Sequence, residues 1–340
     1  MLTTKNVLAL EAYTPGEQPK CRSVVKLNTN ENPYPPSPRC RTVLKNFDLD
    51  RLRRYPDPDS TELRKELARL NGTGVENIFV GNGSDEVLTI AAKTFVEDDE
   101  AIASLDPSYS LYRTLAAIRN VPWKGFSAGE LENFGDKSVS LFLWTNPNAP
   151  TGVFCPKRKI AAFAKTFPGV VVVDEAYADF ARENCMGLAT ARGNRNVLVM
   201  RTFSKSYSLA GLRVGYCVGP KELIASMYKV KDSYNVDALA QAVALAAVKD
   251  QRWMRRNADK VIRTRTWFVE ELEKRGWDIL PSQANFVFAK PPAPIAAKDV
   301  FERLRAKRIF VRYFSAPKTC DRVRITIGTD EEMKKLLKSI

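Results

Sequence analysis

The sequence predicts an α/β protein in which a large domain, built on a mostly parallel central sheet flanked by helices, is joined to a smaller α+β domain. Three observations carry that reading. Strand-like and helix-like segments alternate between residues 77 and 200, a helical stretch then runs to about Arg275, and the remainder switches to short strands interleaved with two helices. The 340 residues suffice for two soluble domains.

Residues 1–45 read as an N-terminal arm and part of the small domain. They are rich in proline and asparagine and end in Asn30-Glu31-Asn32-Pro33-Tyr34-Pro35-Pro36, which can form neither a long helix nor a central strand. Residues 46–248 read as the large domain. After Tyr55-Pro56-Asp57-Pro58 a helix is expected, capped by Asp59 or Ser60, with Leu63, Leu67 and Leu70 on one face and Asn71-Gly72 as its stop. The alternation that follows assigns strands to Asn77–Val80, Glu100–Ser104, Ser140–Trp144, Val170–Val173 and Asn196–Met200, and helices to Glu86–Phe95, Tyr109–Ile118 and Lys157–Phe167. Residues 249–340 read as a linking helix and the small C-terminal domain. The helical stretch begins near Pro220 and stops at Gly276; strands are expected at Asn285–Ala289, Ile309–Phe314 and Val323–Ile327, with helices at Lys298–Lys307 and from about Glu331.

Composition narrows the chemistry. The chain has no histidine, so a Ser-His-Asp or Cys-His nucleophile and a histidine-ligated metal are excluded, and no metal site is expected. Proton transfer must use Lys, Tyr, carboxylates or a cofactor. Lys and Arg number 53 against 39 Asp and Glu, a net charge of +14 that favours anionic partners and does not by its sign choose among nucleic acid, acidic membrane, phosphates and carboxylates. The basic residues occur in short pairs rather than blocks, which argues against nucleic acid. The six cysteines are far apart with no C-x-x-C pair, and no secretory leader or bilayer-length apolar run is evident. Reduced thiols, a cytoplasmic location and no membrane association are the expectations.

Ligands of an open α/β sheet bind beyond the carboxyl ends of its strands. Gly81-Asn82-Gly83-Ser84-Asp85-Glu86 follows a strand and opens a helix, so its amides could hold a phosphate; equally, it could be an ordinary glycine turn. Position 86 is Glu, which leaves the dinucleotide fingerprint incomplete. Asp174 at the end of an apolar strand needs a cationic partner, or caps the next turn. The polar run from Arg201 to Arg213 contains Lys205, a candidate Schiff-base lysine or a solvated surface residue. Together, a phosphate cradle, a strand-end acid, a lysine and an arginine are what pyridoxal phosphate requires.

With these residues in view, the chain resembles the fold-type I pyridoxal-phosphate aminotransferases and is most similar to the histidinol-phosphate aminotransferases. The resemblance runs from Leu27-Asn28-Thr29-Asn30-Glu31-Asn32-Pro33-Tyr34 to Arg324-Ile325-Thr326-Ile327-Gly328. It includes Tyr55-Pro56-Asp57, Gly83-Ser84-Asp85-Glu86, Asp106-Pro107-Ser108-Tyr109, Asn146-Pro147-Asn148-Ala149-Pro150-Thr151-Gly152, Asp174-Glu175-Ala176-Tyr177, and Ser204-Lys205 through Arg213. The family often has Asn or Ser where this chain has Ala149.

The resemblance implies that pyridoxal 5'-phosphate is the cofactor and that Lys205 forms the Schiff base with it. Asp174 is implied to pair with the ring nitrogen, Asn148 and Tyr177 to contact the phenolic oxygen, and Tyr109 to stack on the ring. The phosphate is implied to be held by the turn Gly83, Ser84 and Asp85 with Thr202, Ser204 and Arg213, and by Tyr55 reaching across from the second subunit of a homodimer. Arg312 and Arg324 are implied to grip the phosphate of histidinol phosphate and then the carboxylate of glutamate, in ping-pong transamination that belongs to histidine biosynthesis. Tyr34 is expected to close over the substrate and Asn285 to approach it. An aromatic aminotransferase and a threonine-phosphate decarboxylase-type lyase share much of this motif set and remain alternatives.

Overall fold

A computed structural model describes residues 2–8, 10, 16–19 and 23–340; Cys21 lies outside the described residues. A short strand β1 (Val25–Lys26) precedes the main sheet, which is formed by β2 (Ile78–Gly81), β3 (Ala101–Leu105), β4 (Trp123–Phe126), β5 (Val139–Thr145), β6 (Val170–Asp174), β7 (Val197–Thr202) and β8 (Gly215–Val218). Their spatial order is β2-β8-β7-β6-β5-β3-β4. The five strands from β7 to β4 are parallel, while β8 runs antiparallel to both of its neighbours. Thr145, Asp174 and Thr202 therefore end three adjacent parallel strands at the same edge, where such sheets bind ligands.

Two of these strands are absent from the sequence reading. β8 is a four-residue run between the polar loop and Gly219-Pro220, too short to show a period. β4 is a half-buried edge strand, Trp-Lys-Gly-Phe, with no clean alternation. The buried strands alternate as their pleat requires: Phe142, Trp144, Val171 and Val173 enter one core, Leu141, Leu143 and Val172 the other.

Three further boundaries differ from expectation. The helical stretch after Pro220 is three helices, Lys221–Val230, Ala238–Val248 and Gln251–Glu273, because Asp237 and Asp250 accept from the amides of Ala240 and Trp253 and so restart the helix. The cap expected of Asp59 or Ser60 is made by Asp57, whose carboxylate accepts from the amides of Asp59 at 3.0 Å and Thr61 at 2.7 Å; Ser60 makes no side-chain cap bond. The single strand expected at Ile309–Phe314 is two.

That last split builds the smaller unit. β9 (Asp278–Ile279), β10 (Phe286–Lys290), β11 (Ile309–Phe310), β12 (Arg312–Tyr313) and β13 (Val323–Thr326) follow the long helix. An antiparallel sheet has the order β12-β13-β10-β9, while β11 pairs in parallel with β1 of the arm. Val25 and Leu27 thus share a core with Phe268, Phe286 and Ile325. The helix Gln251–Glu273 spans both units: Met254 packs in the main core, Val261, Phe268 and Leu272 in the small one. No helix among the described residues is long and apolar enough to cross a membrane, and these residues contain no cluster suited to a metal ion. The five described cysteines are free.

Candidate active site

Lys205 sits in the turn after β7, and its Nζ donates to the carbonyl of Thr29 in the arm at 3.1 Å. It also lies 5.9 Å from the centre of the Tyr177 ring. Burial lowers its pKa to about 8, with the positive charges of Arg324 and Arg213 adding to the effect and Glu31 and Asp85 opposing it. The amine is thus poised between ammonium and nucleophile near neutral pH.

Asp174 is 4% exposed. Its Oδ2 accepts from the Tyr112 hydroxyl at 2.8 Å and its Oδ1 from the Ala176 amide at 3.1 Å. Among the described residues no cation pairs with it. Burial raises its pKa to about 6, with Asp85 and Glu175 pushing the same way against the two hydrogen bonds. Both alternatives for Asp174 hold in part: it does cap the following turn, and it keeps a buried acid edge without a cation.

Asn148 is anchored from several sides. Its amide nitrogen donates to Pro107 O at 2.9 Å and Thr151 Oγ1 at 3.0 Å, and its Oδ1 accepts from Ser108 at 3.1 Å. Tyr177 accepts on its hydroxyl from Asn30 Nδ2 at 3.0 Å. Asn30 in turn bonds Thr326 of β13, and its carbonyl accepts from Asn285 at 2.9 Å. Asn285 is fully buried, and its Oδ1 has no hydrogen-bond partner. Asn32 donates to the carbonyls of Lys205 and Ser206. The arm thus ties both units to the lysine turn.

The glycine turn is built around Arg213. Its guanidinium meets Asp85 at 3.2 Å, Ser204 Oγ at 3.3 Å and Ala210 O at 3.3 Å. Gly83 has φ 83°, and a Cβ there would come within 2.6 Å of Arg213 Nη2. A Cβ on Gly215 would come within 2.5 Å of Ser84 N. Two glycines therefore let the backbone, Ser84 and the guanidinium converge. Thr202 Oγ1 accepts from the Ser204 amide at 3.1 Å, and the Tyr109 hydroxyl reaches Asp85 at 3.4 Å.

In the small unit, Arg324 donates to Asn28 O at 2.9 Å and its guanidinium carbon lies 5.3 Å from the Phe286 ring centre. Arg312 is its register partner. The Tyr34 ring lies 4.6 Å from Lys260 Nζ and lines a cleft of about 580 Å³ with side chains of the helices Gln251–Glu273 and Asp330–Leu337, while its amide donates to Asn32, the residue that bonds the Lys205 carbonyl. Tyr55 is exposed and stacks on Tyr234 with ring centres 4.4 Å apart.

Sequence reasoning missed several residues that shape the site. Arg201 bonds Glu175 at 2.8 Å and Asp179 at 3.0 Å, Asp179 accepts from Ser206, and Glu175 accepts from the amide of Cys185, so a buried ion pair braces the loop on both sides of Lys205. Glu175 and Arg201 were visible as charges beside apolar strands, a pattern that calls for a partner. Tyr112, fully buried beneath Asp174, carried no such signal because a tyrosine on an amphipathic helix face reads as core.

The sequence profile of the family described as aminotransferase class I and II matches residues 22–340. A histidinol-phosphate aminotransferase of Syntrophotalea carbinolica is 44% identical over 341 residues, covering 99% of this chain and 97% of its own length. Histidinol-phosphate aminotransferase 1 of Nostoc sp. is 41% identical, covering 98% and 96%. Among solved structures, the histidinol-phosphate aminotransferase from Sinorhizobium meliloti in complex with pyridoxal-5'-phosphate superposes with a TM-score of 0.90 at 25% identity, over 99% of this chain and 96% of that one. The L-threonine-O-3-phosphate decarboxylase from Porphyromonas gingivalis shares the fold, with a TM-score of 0.83 at 22% identity over 93% of this chain and 98% of that one.

Proposed function

The chain belongs to the aminotransferase class I and II family, and on that premise we propose that it binds pyridoxal 5'-phosphate and transfers the amino group of histidinol phosphate to 2-oxoglutarate, giving imidazole acetol phosphate and glutamate. The observation that carries this reading is the convergence of a buried acid without a cation, a lysine with a lowered pKa and a glycine-lined arginine at one edge of a parallel sheet. These residues fit the coenzyme. A ring nitrogen would supply the counter-charge that Asp174 lacks, the turn at Gly83 and Ser84 with Thr202, Ser204 and Arg213 matches a phosphate, Asn148, on giving up one of its two present acceptors, and Tyr177 would serve a phenolic oxygen, and Tyr109 would stack on the ring. Asp85 holds Arg213 in place.

Pyridoxal phosphate, when bound, supplies the carbonyl that takes up the amino group and the ring that accepts electron density from the substrate's Cα. The protein's part is proton handling and positioning. Lys205 Nζ would hold the coenzyme and, as the free amine, would move the proton at the substrate's Cα, a task for which a pKa of about 8 suits it. Asp174 would hold the proton on the ring nitrogen by pairing with its charge. Arg312 and Arg324 hold the substrate's phosphate and, in the second half-reaction, the dicarboxylate.

The working unit is a homodimer in which Tyr55 reaches the partner's phosphate. What supports this is the exposed apolar run Leu44, Leu49, Leu52 and Tyr55, too large a set of bare side chains for a lone subunit to carry without consequence.

The direct test offers the purified protein histidinol phosphate, phenylalanine or threonine phosphate separately, with 2-oxoglutarate, and follows glutamate and carbon dioxide. Glutamate from the first alone is expected. Carbon dioxide from threonine phosphate would overturn the assignment.

A further inference from the structure

Thr145 and Asp174 are register partners at the ends of β5 and β6, and Tyr112 of the helix Leu111–Arg119 sets its hydroxyl against both. The order of donors follows from valence. An ionised carboxylate only accepts, so the phenol spends its one proton on Asp174 Oδ2, at 2.8 Å. Its oxygen then accepts from the hydroxyl proton of Thr145, which is its other neighbour. Ser108 does not compete for this role: its hydroxyl is 3.1 Å from Asn148 Oδ1 and 3.4 Å from Thr145 Oγ1, and its single proton goes to the nearer amide oxygen. The result is a short directed chain, Thr145 to Tyr112 to Asp174, in which each donor strengthens the next.

We infer that Tyr112 is a positioning residue that keeps Asp174 ionised for the ring nitrogen, and that Thr145 fixes the direction in which Tyr112 donates. This rests on the reading of Asp174 as the partner of the coenzyme ring. The groups that face Asp174 make the need plain. Burial, Asp85 and Glu175 all disfavour its charge, and the Tyr112 hydroxyl and the Ala176 amide favour it. The amide is fixed by the backbone; the phenol is the part that sequence can change. A protonated Asp174 would offer the ring nitrogen no charge to hold its proton, so this one hydroxyl bears on the chemistry without touching the substrate.

The test is the titration of the Asp174 carboxyl carbon, by NMR of the full chain free of coenzyme and labelled with carbon-13 aspartate, the resonance being assigned by its loss in Asp174→Asn. Tyr112→Phe is expected to raise the midpoint by about one pH unit or more, the effect of losing a hydrogen bond to a charged group. Thr145→Val is expected to raise it by less, and Thr145→Ser to restore the parent value. A midpoint unmoved in Tyr112→Phe overturns the proposal, as does one that moves there and not in Thr145→Val. Should Tyr112→Phe fail to fold, the Thr145→Val and Thr145→Ser pair decides in the same way. Because the titration needs no coenzyme, a flat result condemns the chain of donors alone; a protein that never takes up pyridoxal phosphate would instead condemn the proposed function.

Discussion

Arg312 and Arg324 stand directly opposite one another on antiparallel strands, and both guanidinium carbons lie over the same ring, Phe314, at 5.5 and 5.4 Å. Residues in register on such a pair project from the same face, where like charges repel. The shared aromatic ring offsets part of that repulsion, and a planar anion suits two guanidinium groups on one face. Arg324 also helps to lower the pKa of Lys205, so it lies within electrostatic reach of the lysine.

Arg324→Ala should therefore raise KM for the phosphorylated substrate by about 10- to 100-fold, the loss of one charge-assisted contact, with a smaller effect on kcat. Arg324→Lys should recover only part of it, since an ammonium lacks the planar fork. Steady-state kinetics with histidinol phosphate decide; an unchanged KM in both variants would remove Arg324 from the substrate site.

Lys205→Ala should lose the borohydride-reducible attachment of coenzyme, read by mass spectrometry, while coenzyme still binds without a covalent bond. Turnover should fall by at least about a hundredfold, because the general base goes with the amine. In the parent, the rate of covalent attachment should rise with pH as Lys205 loses its proton and level off above about pH 8. Stopped-flow absorbance checks the profile.

Asp174→Asn should abolish activity yet stabilise the coenzyme-free chain. The folded-state pKa of Asp174 is raised to about 6, so its proton is bound more tightly in the folded protein; the stability that this binding contributes is present at low pH and is lost as pH rises through about 6. The advantage of the variant over the parent should therefore widen by about 1 kcal/mol between about pH 5 and about pH 8. Urea unfolding at the two pH values measures it, and a gap that does not change would contradict the burial argument.

Arg201→Ala should cost about 3–5 kcal/mol of stability, since it leaves Glu175 and Asp179 buried without their counter-charge. Chemical denaturation gives the figure. Coenzyme affinity should fall as well, because Asp179 and Ser206 fasten the loop that carries Lys205.

Mixing Lys205→Ala with Tyr55→Ala subunits tests whether Tyr55 serves the neighbouring site. Heterodimers would contain one intact site each, so about a quarter of all sites should recover native coenzyme affinity after subunit exchange. If Tyr55 serves its own subunit, no site recovers.

Five strands of the main sheet were legible because each is an apolar run, and three of them, β2, β3 and β5, lead into amphipathic helices. β8 and β4 were not, because neither is long enough or buried enough on one face to leave a period. In the candidate site, Lys205, Asp174 and Arg213 stood out because they follow apolar strands in dense polar motifs, whereas Asn148 was expected only from the family resemblance. The contact of the Tyr34 ring with Lys260 was not legible, because packing of the arm against the long helix sets where that ring lies.

By itself the sequence determined the class of chemistry: no imidazole, a lysine and an acid at strand ends, a glycine turn and an excess of positive charge. These follow from residue identity and spacing along the chain. Only the tertiary structure decided which groups act on which, that Tyr112 donates to Asp174, that Asn30 bonds both Tyr177 and Thr326, the latter 296 residues further along the chain, and that Arg312 faces Arg324. Such pairings depend on strand register and on burial, which set the distance and the dielectric between groups that local sequence leaves unrelated.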